Sequence, residues 1–511
     1  ARKDTFLMAS TSAALPPPTG GWDTRESIAD TPENRAIILE NWFAETDKVT
    51  VRRGSSSHAT GMTGAVQSLI EYIPLTGVGA LFAANGGNLY DVSSSGAVGA
   101  AVVSGKSNDK WQFVNIGTTG GQFVRCFNGA DASLLYNGST WATTALTGSG
   151  LTAANLIWGN LHQNRLWAGE KDSLDAWYLG VNDVSGSMTK FPLGGVATKG
   201  GYIMAMGTWT RDSGSGQDDV AVFLTSEGEA IVYAGTNPSS ATKWSLIGVF
   251  AIGKPIGRRC IVKAGSDIIL MTQDGFVPLS GILSMDRSQS RLVALSDQIA
   301  SAVNTAVRSY GDIFGWQPIL YPKGIMLVFN IMQSETTSHQ YVFNTITGSP
   351  CKFTGLDAVC WGMLNDNLYF GKADGTVSKF DDGTSDLGVA IEADALQAFS
   401  YFKSSQSNKV FKLVEPIFES DGNPNAAIDL NLDFQVKTPT GVAAASPTRS
   451  GIWGVSNWGV GIWGTAGQVY RGWRGVRGKG RSASLRIRIN TSTARPSWIA
   501  TNFTYQKGGQ L

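Results

Sequence analysis

The chain has 511 residues, of which 42% are hydrophobic and 16% charged, and its net charge is +1. The near-neutral balance gives no whole-chain signal for nucleic acid, and low charge with 62 glycines argues against helix bundles. A core of this size needs no disulfide staples, and the cysteines, Cys126, Cys260, Cys351 and Cys360, read as buried reduced thiols. Their wide spacing suits neither zinc nor a small disulfide framework.

Residues 1–55 read as an extended arm. Pro16, Pro17 and Pro18 are stiff, and Thr31 with Pro32 can start a short helix. An apolar anchor follows from Ala36 to Phe43, then a short strand that stops at Gly54. The first residues do not read as a signal peptide, because polar residues break the apolar stretch, and no segment passes as a membrane helix.

Residues 56–385 repeat a theme without repeating a sequence. An apolar strand leads into a glycine-containing turn and then a second strand with an aromatic residue. Copies occur at Gly79–Val92, Gln122–Trp141, Arg165–Leu179, Asp219–Tyr233, Asp267–Leu279 and Asn367–Phe380. Two-residue hairpins demand positive φ, which glycine supplies. A recurrence of roughly 40–50 residues is the spacing of propeller blades, and predicts an all-β fold with a six-bladed β-propeller. A β-sandwich or several small β-domains is the alternative.

An insertion near 281–323 breaks the pattern. Leu295–Val307 reads as a helix, with Ile299, Val303 and Val307 on one face and Ser296 or Asp297 as cap. It either packs on the propeller rim or meets a partner. From 386 to 511 the alternating strands Ile428–Val436 and Leu485–Asn490 predict an additional C-terminal antiparallel β-domain. Between them lies a stretch rich in glycine and tryptophan, with Trp453, Trp458, Trp463 and Trp473.

Catalytic signatures are missing. The histidines His58, His162 and His339 are scattered, and no nucleophile turn or metal-ligand spacing accompanies them. Gly472–Gly480 departs from a phosphate loop in spacing and in lacking the hydroxyl that would hold magnesium. Asp381–Asp386 lacks the distal glutamate of a calcium loop and reads as a polar turn. No catalytic residue, metal or cofactor is expected, although two distant carboxylates can converge unseen.

One local feature invites a function. No acidic residue follows Asp433, while Arg471, Arg474, Arg477, Lys479 and Arg481 alternate with glycine and tryptophan. Interleaved arginine and aromatic residues can track a nucleic-acid backbone, and arginine is equally favoured at subunit contacts. These five residues are the candidate subunit or DNA contacts. Arg486 and Arg488 share one face of a half-buried strand, which strand geometry explains alone.

Several stretches resemble the tail nozzle family of short-tailed bacteriophages, also called tail tubular protein B or tail hub. They are Pro17–Ser27, Ala36–Phe43, Val51–Gly54, Asn164–Gly169, Leu179–Gly186, Phe223–Glu229, Tyr233–Pro238, Ile252–Gly257, Thr272–Gly275 and Arg471–Val476. The resemblance implies a six-bladed propeller core in a homohexamer below an adaptor ring. It implies a channel that retains packaged double-stranded DNA and conducts it through the host cell envelope at ejection. Tail fibres or spikes attach at the adaptor–nozzle level in such particles, and the family has no catalytic residues to transfer. The expected location is the short tail of a virion assembled in the bacterial cytoplasm, where disulfides are not needed. Two other classes stay open: a carbohydrate- or receptor-binding propeller, with exposed tryptophans as sugar platforms, and a propeller glycosidase.

Overall fold

A computed structural model describes residues 10–212, 217–283, 294–439, 446–447 and 468–510. Trp453, Trp458 and Trp463 lie outside these residues. The chain divides into two compact units. One holds residues 57–340 and 356–380, and the other holds residues 1–56, 341–355 and 381–511. The first and last parts of the chain, expected as a separate arm and a separate domain, therefore belong to one unit.

The first unit is all-β and propeller-like. Five small antiparallel sheets follow one another along the chain. Their first strands are Ser68–Tyr72, Gln112–Thr118, Leu156–His162, Ile203–Asp212 and Ile261–Ala264. Two more antiparallel units start at Gln317–Tyr321 and Ala358–Leu364. Each first strand lies beside the next unit, and the last lies beside Ser68–Tyr72, so the ring closes. Seven repeating units form it, which corrects the expected six.

The unit missed in the sequence starts at Gln317. Its strands Met326–Met332 and Ser338–Asn344 are buried at every position. Strands covered on both faces lose the alternation that marks a hairpin. Their turn, residues 333–337, also contains no glycine.

Packing between neighbouring blades holds the ring. Trp167 of the third blade stacks on Trp244 of the fourth at 5.6 Å, and Phe191, Phe223 and Tyr233 pack around them. Such aromatic contacts add to what area burial alone supplies. The strand Ser55–Thr60 runs next to the third strand of the last blade, Val377–Phe380. Ala59 thereby enters a buried cluster with Leu69 and Leu81 of the first blade and Cys360 and Tyr369 of the last.

The predicted helix forms, but over Ala300–Tyr310. It packs between the fifth and sixth blades. Ile299, Val303 and Ala306 are buried, so the packing side is the predicted one. Ser296 does not cap it. Its Oγ accepts a hydrogen bond from the Phe276 amide at 3.0 Å instead, and a 3-10 turn at Asp297–Ile299 leads into the helix.

The second unit is built on two antiparallel sheets that curve into a nearly closed barrel. Val389–Gln397 pairs with Ala36–Glu40 and with Ala483–Thr491, which pairs in turn with Ala427–Leu432. In the other sheet Ser407–Ser420 pairs with Ser497–Gln510 and with Arg474–Gly480. The strand Ser10–Leu15 pairs with Ser497–Gln510, so residues 10–15 lie beside residues 501–506. Trp42 meets Trp498 edge-on at 6.4 Å within the core.

Arg52 ties this unit together from an almost fully buried position. Its guanidinium grips both oxygens of Asp386 and donates to Asn41 Oδ1 at 2.8 Å and to the Thr354 carbonyl at 3.0 Å. Asp382 accepts from Ser56 Oγ at 2.7 Å. The acidic run Asp381–Asp386 thus fastens the residues around Arg52.

Candidate functional site

Strand Arg474–Gly480 lies in the barrel unit with Val410 opposite Lys479 and Phe411 opposite Gly478. Its side chains alternate, so Arg477 and Lys479 point to solvent while Val476, Gly478 and Gly480 face inward. The inward glycines are there for space. A Cβ on Gly478 would come within 2.1 Å of Leu432, and one on Gly480 within about 3.0 Å of the Asp433 carboxylate. This accounts for the alternation of basic residues with glycine.

Arg471, Arg477, Lys479 and Arg481 are exposed and Arg474 is half-buried. Among the described residues no carboxylate forms an ion pair with any of the five. Arg481 contributes through its backbone, whose amide donates to Asp433 Oδ1 at 2.7 Å. Trp473, next to Arg474, is 45% exposed. Lys412, on the neighbouring strand, is exposed too. The structure thus brings the five predicted residues together on one strand and its flanks.

Two other basic residues of the same region are spent inside the unit. Arg486 donates to both oxygens of Asp394, at 2.9 and 2.6 Å, and this hydrogen-bonded pairing holds its pKa above the usual arginine value. Arg488 Nε lies 3.5 Å from Asp394. Lys409 is buried beneath the strand and donates to the carbonyls of Ser404, Ser407 and Arg481 at 2.6, 3.2 and 2.7 Å. Burial first, and then the Lys507 charge, hold its pKa below the usual lysine range.

The propeller unit carries a second feature, which the sequence reading passed over. Its bore contains a cavity of about 630 Å³. Arg259, from the lead-in to the fifth blade, reaches across the bore. Its Nη2 donates to the Gln67 carbonyl at 3.1 Å, to Ser68 Oγ at 2.6 Å and to the Trp111 carbonyl at 3.0 Å. Those residues open the first and second blades. The Phe314 ring lies 4.9 Å from the Arg259 guanidinium and 5.0 Å from Lys110 Nζ. The bore is therefore obstructed at the end where its inner strands begin. The available signal was the adjacent pair Arg258-Arg259 after the Gly257 turn, in a chain with little charge.

The remaining titratable groups singled out from sequence lie apart. His162 is buried, with Nδ1 3.2 Å from Thr208 Oγ1, and burial lowers its pKa to about 4. His58 binds the Val92 carbonyl at 2.7 Å and packs on Tyr369. All the cysteines are buried and free, and burial pushes the Cys260 and Cys360 thiols up to about 12. Among the described residues no cluster of histidine, cysteine and carboxylate groups has a metal-binding arrangement.

No family model matches the sequence, and no curated protein matches it. Among solved structures, the chain is similar to BBS1N in its complex with ARL6DN. The identity is 9% and the TM-score 0.40, over 66% of this chain and 100% of that one. It is also similar to an exo-beta-1,3-galactanase from Phanerochaete chrysosporium solved with galactose. There the identity is 10% and the TM-score 0.27, over 89% of this chain and 100% of that one. At these scores neither likeness bears on what the chain does.

Proposed function

We propose that the chain is a structural tail nozzle protein of a short-tailed phage, which assembles as a homohexamer below an adaptor ring and conducts DNA. One observation carries the reading: the residues of the resemblance are structural anchors. Arg52 of Val51–Gly54 is the buried tie to Asp386. A Cβ on Gly54 would meet the Ser385 carbonyl at 2.0 Å. Within Phe223–Glu229, Gly228 has a φ of +81° and a Cβ there would meet the Ile252 carbonyl at 2.6 Å. Glu229 is buried and its carboxylate accepts from the amides of Thr198 and Lys199 and from the Thr198 hydroxyl. These positions hold turns and inter-blade links, and they suit a protein whose work is its shape.

In this reading the DNA path is formed between copies of the chain. The propeller bore is obstructed by Arg259 and Phe314, and a cavity of about 630 Å³ is the size of a small-molecule site and cannot admit a duplex. The exposed strand with Arg477 and Lys479 then meets acidic groups of a neighbouring subunit or of the adaptor. A lumen that gripped phosphates would hinder sliding, because phosphate contacts bind DNA strongly. The test is location in the particle. Gold-labelled antibodies against the chain should decorate the short tail below the head. Labelling confined to the fibres, or absent from the tail, would contradict the proposal.

A further inference from the structure

The cavity of the propeller bore is lined by an unusual set of unmatched groups. Arg258 Nη1, Arg259 Nη1, Gln112 Nε2 and Trp111 Nε1 are buried N–H donors with no acceptor among the described residues, and all four residues line the same cavity. No side chain of that lining has a buried oxygen that lacks a donor. The imbalance is one-sided. Buried donors are ordinarily paired, so such a cluster marks a place where an acceptor belongs.

Charge points the same way. Arg258, Arg259 and Lys263 line the cavity with one carboxylate, Asp219. The Asp219 carboxylate already accepts from Thr210 Oγ1 at 2.7 Å. Neither arginine is in an ion pair with a described carboxylate. Burial first, with the adjacent Arg258 charge a smaller contribution in the same direction, holds the Arg259 guanidinium down to about 10. The Asp172 carboxylate acts on Arg258 through space without forming an ion pair. Two neighbouring guanidinium groups that no described carboxylate contacts directly are suited to an oxyanion, which they can bind with paired hydrogen bonds. Asn160, Gln163 and Asn164 contribute amides to the same wall. They lie toward the ends of their strands, away from the obstructed end.

We infer that this cavity binds a small hydroxylated oxyanion, a sugar acid or a sugar phosphate. The carboxylate or phosphate meets Arg258, Arg259 and the N–H groups of Gln112 and Trp111. The hydroxyls meet the amides of Asn160, Gln163 and Asn164. A volume of about 630 Å³ accommodates one or two sugar units. The inference goes beyond a structural role in a tail, and it stands or falls separately from assembly.

Calorimetric titration of the full chain with glucuronate, glucose 6-phosphate, glucose and inorganic phosphate tests it. At least one of the two charged sugars should bind ten-fold or more tighter than both glucose and inorganic phosphate. Which of them binds tighter identifies the anion. The Arg258→Gln variant should lose at least ten-fold in affinity for that sugar, while Arg477→Gln in the other unit should bind as the parent does. Arg258 makes no hydrogen bond to a described residue, so R258Q should fold, as circular dichroism can check. If it does not fold, the comparison of ligands on the parent chain decides alone. Binding of glucose as tight as that of the charged sugars overturns the proposal. So does inorganic phosphate binding equally well, or no heat from any probe at 10 mM, taken as roughly the weakest affinity worth calling specific.

Discussion

At the scale of single residues, burial and pairing decide what each polar group can do. Arg52 is the clearest case, because it is buried and its hydrogen bonds to Asn41, Thr354 and Asp386 hold three other segments of the barrel unit in place. Arg52→Ala should destabilise that unit by about 3–5 kcal/mol, the cost of leaving Asp386 without its partner. Chemical denaturation followed by the fluorescence of Trp42 and Trp498 would measure it. Arg52→Lys should recover only part of the loss, since a lysine cannot form the two-pronged contact.

Glu71 gives a prediction with a sign. Burial first, and then the Asp366 charge, raise its pKa from 4.5 to about 7. The folded protein therefore binds this proton more tightly than the unfolded chain does. Stability from this group is full below about pH 4.5 and is lost as pH rises through 7. Glu71→Gln should raise the Tm at pH 8 by roughly 2–4 °C, with the gain shrinking to nothing toward pH 4.5. An equal gain at both pH values would show that the charge is not the cause. Little of this was legible in the sequence. Neither Arg52 nor Glu71 differs from a surface residue until the strands that bury it are known. The glycine turns were legible, because positive φ leaves a mark in residue type: Gly228, Gly275 and Gly375 have φ of +81°, +127° and +85°.

At the scale of elements, the hairpins that alternate or turn on glycine were readable, and the unit at Gln317 was not. Its strands have no solvent face, so their sequence carries no period of two. The helix was readable from Ile299 and Val303, yet its start was not, because Ser296 serves the Phe276 amide rather than the helix. The basic strand was readable as a patch, but the division of labour within it needed the fold. Arg486 and Arg488 face Asp394, while Arg477 and Lys479 face solvent. Arg477→Glu with Lys479→Glu should change the stability of the monomer by less than about 0.5 kcal/mol, as exposed substitutions do. The same double variant should lose the assembly that the proposed function requires, read by size-exclusion chromatography with the adaptor. Ala59→Asp makes the opposite case. It buries a charge in the cluster that joins the first and last blades, and should lower the melting temperature of the propeller unit by several degrees in calorimetry.

At the scale of the whole molecule, the chain leaves the barrel unit, completes a propeller-like ring and returns, so residues 10–15 and 501–506 pair within one unit. Sequence order hid this, because long-range pairing such as Ser10–Leu15 with Ser497–Gln510 has no local signature. The obstructed bore bears on the proposed assembly: DNA conducted by it would have to pass between copies of the chain. The most direct test of a nozzle is the number of copies that assemble. Purified chain mixed with its adaptor ring and imaged by negative-stain electron microscopy should form a ring of six copies with a central opening. A chain that stays monomeric beside intact adaptor rings would contradict the account.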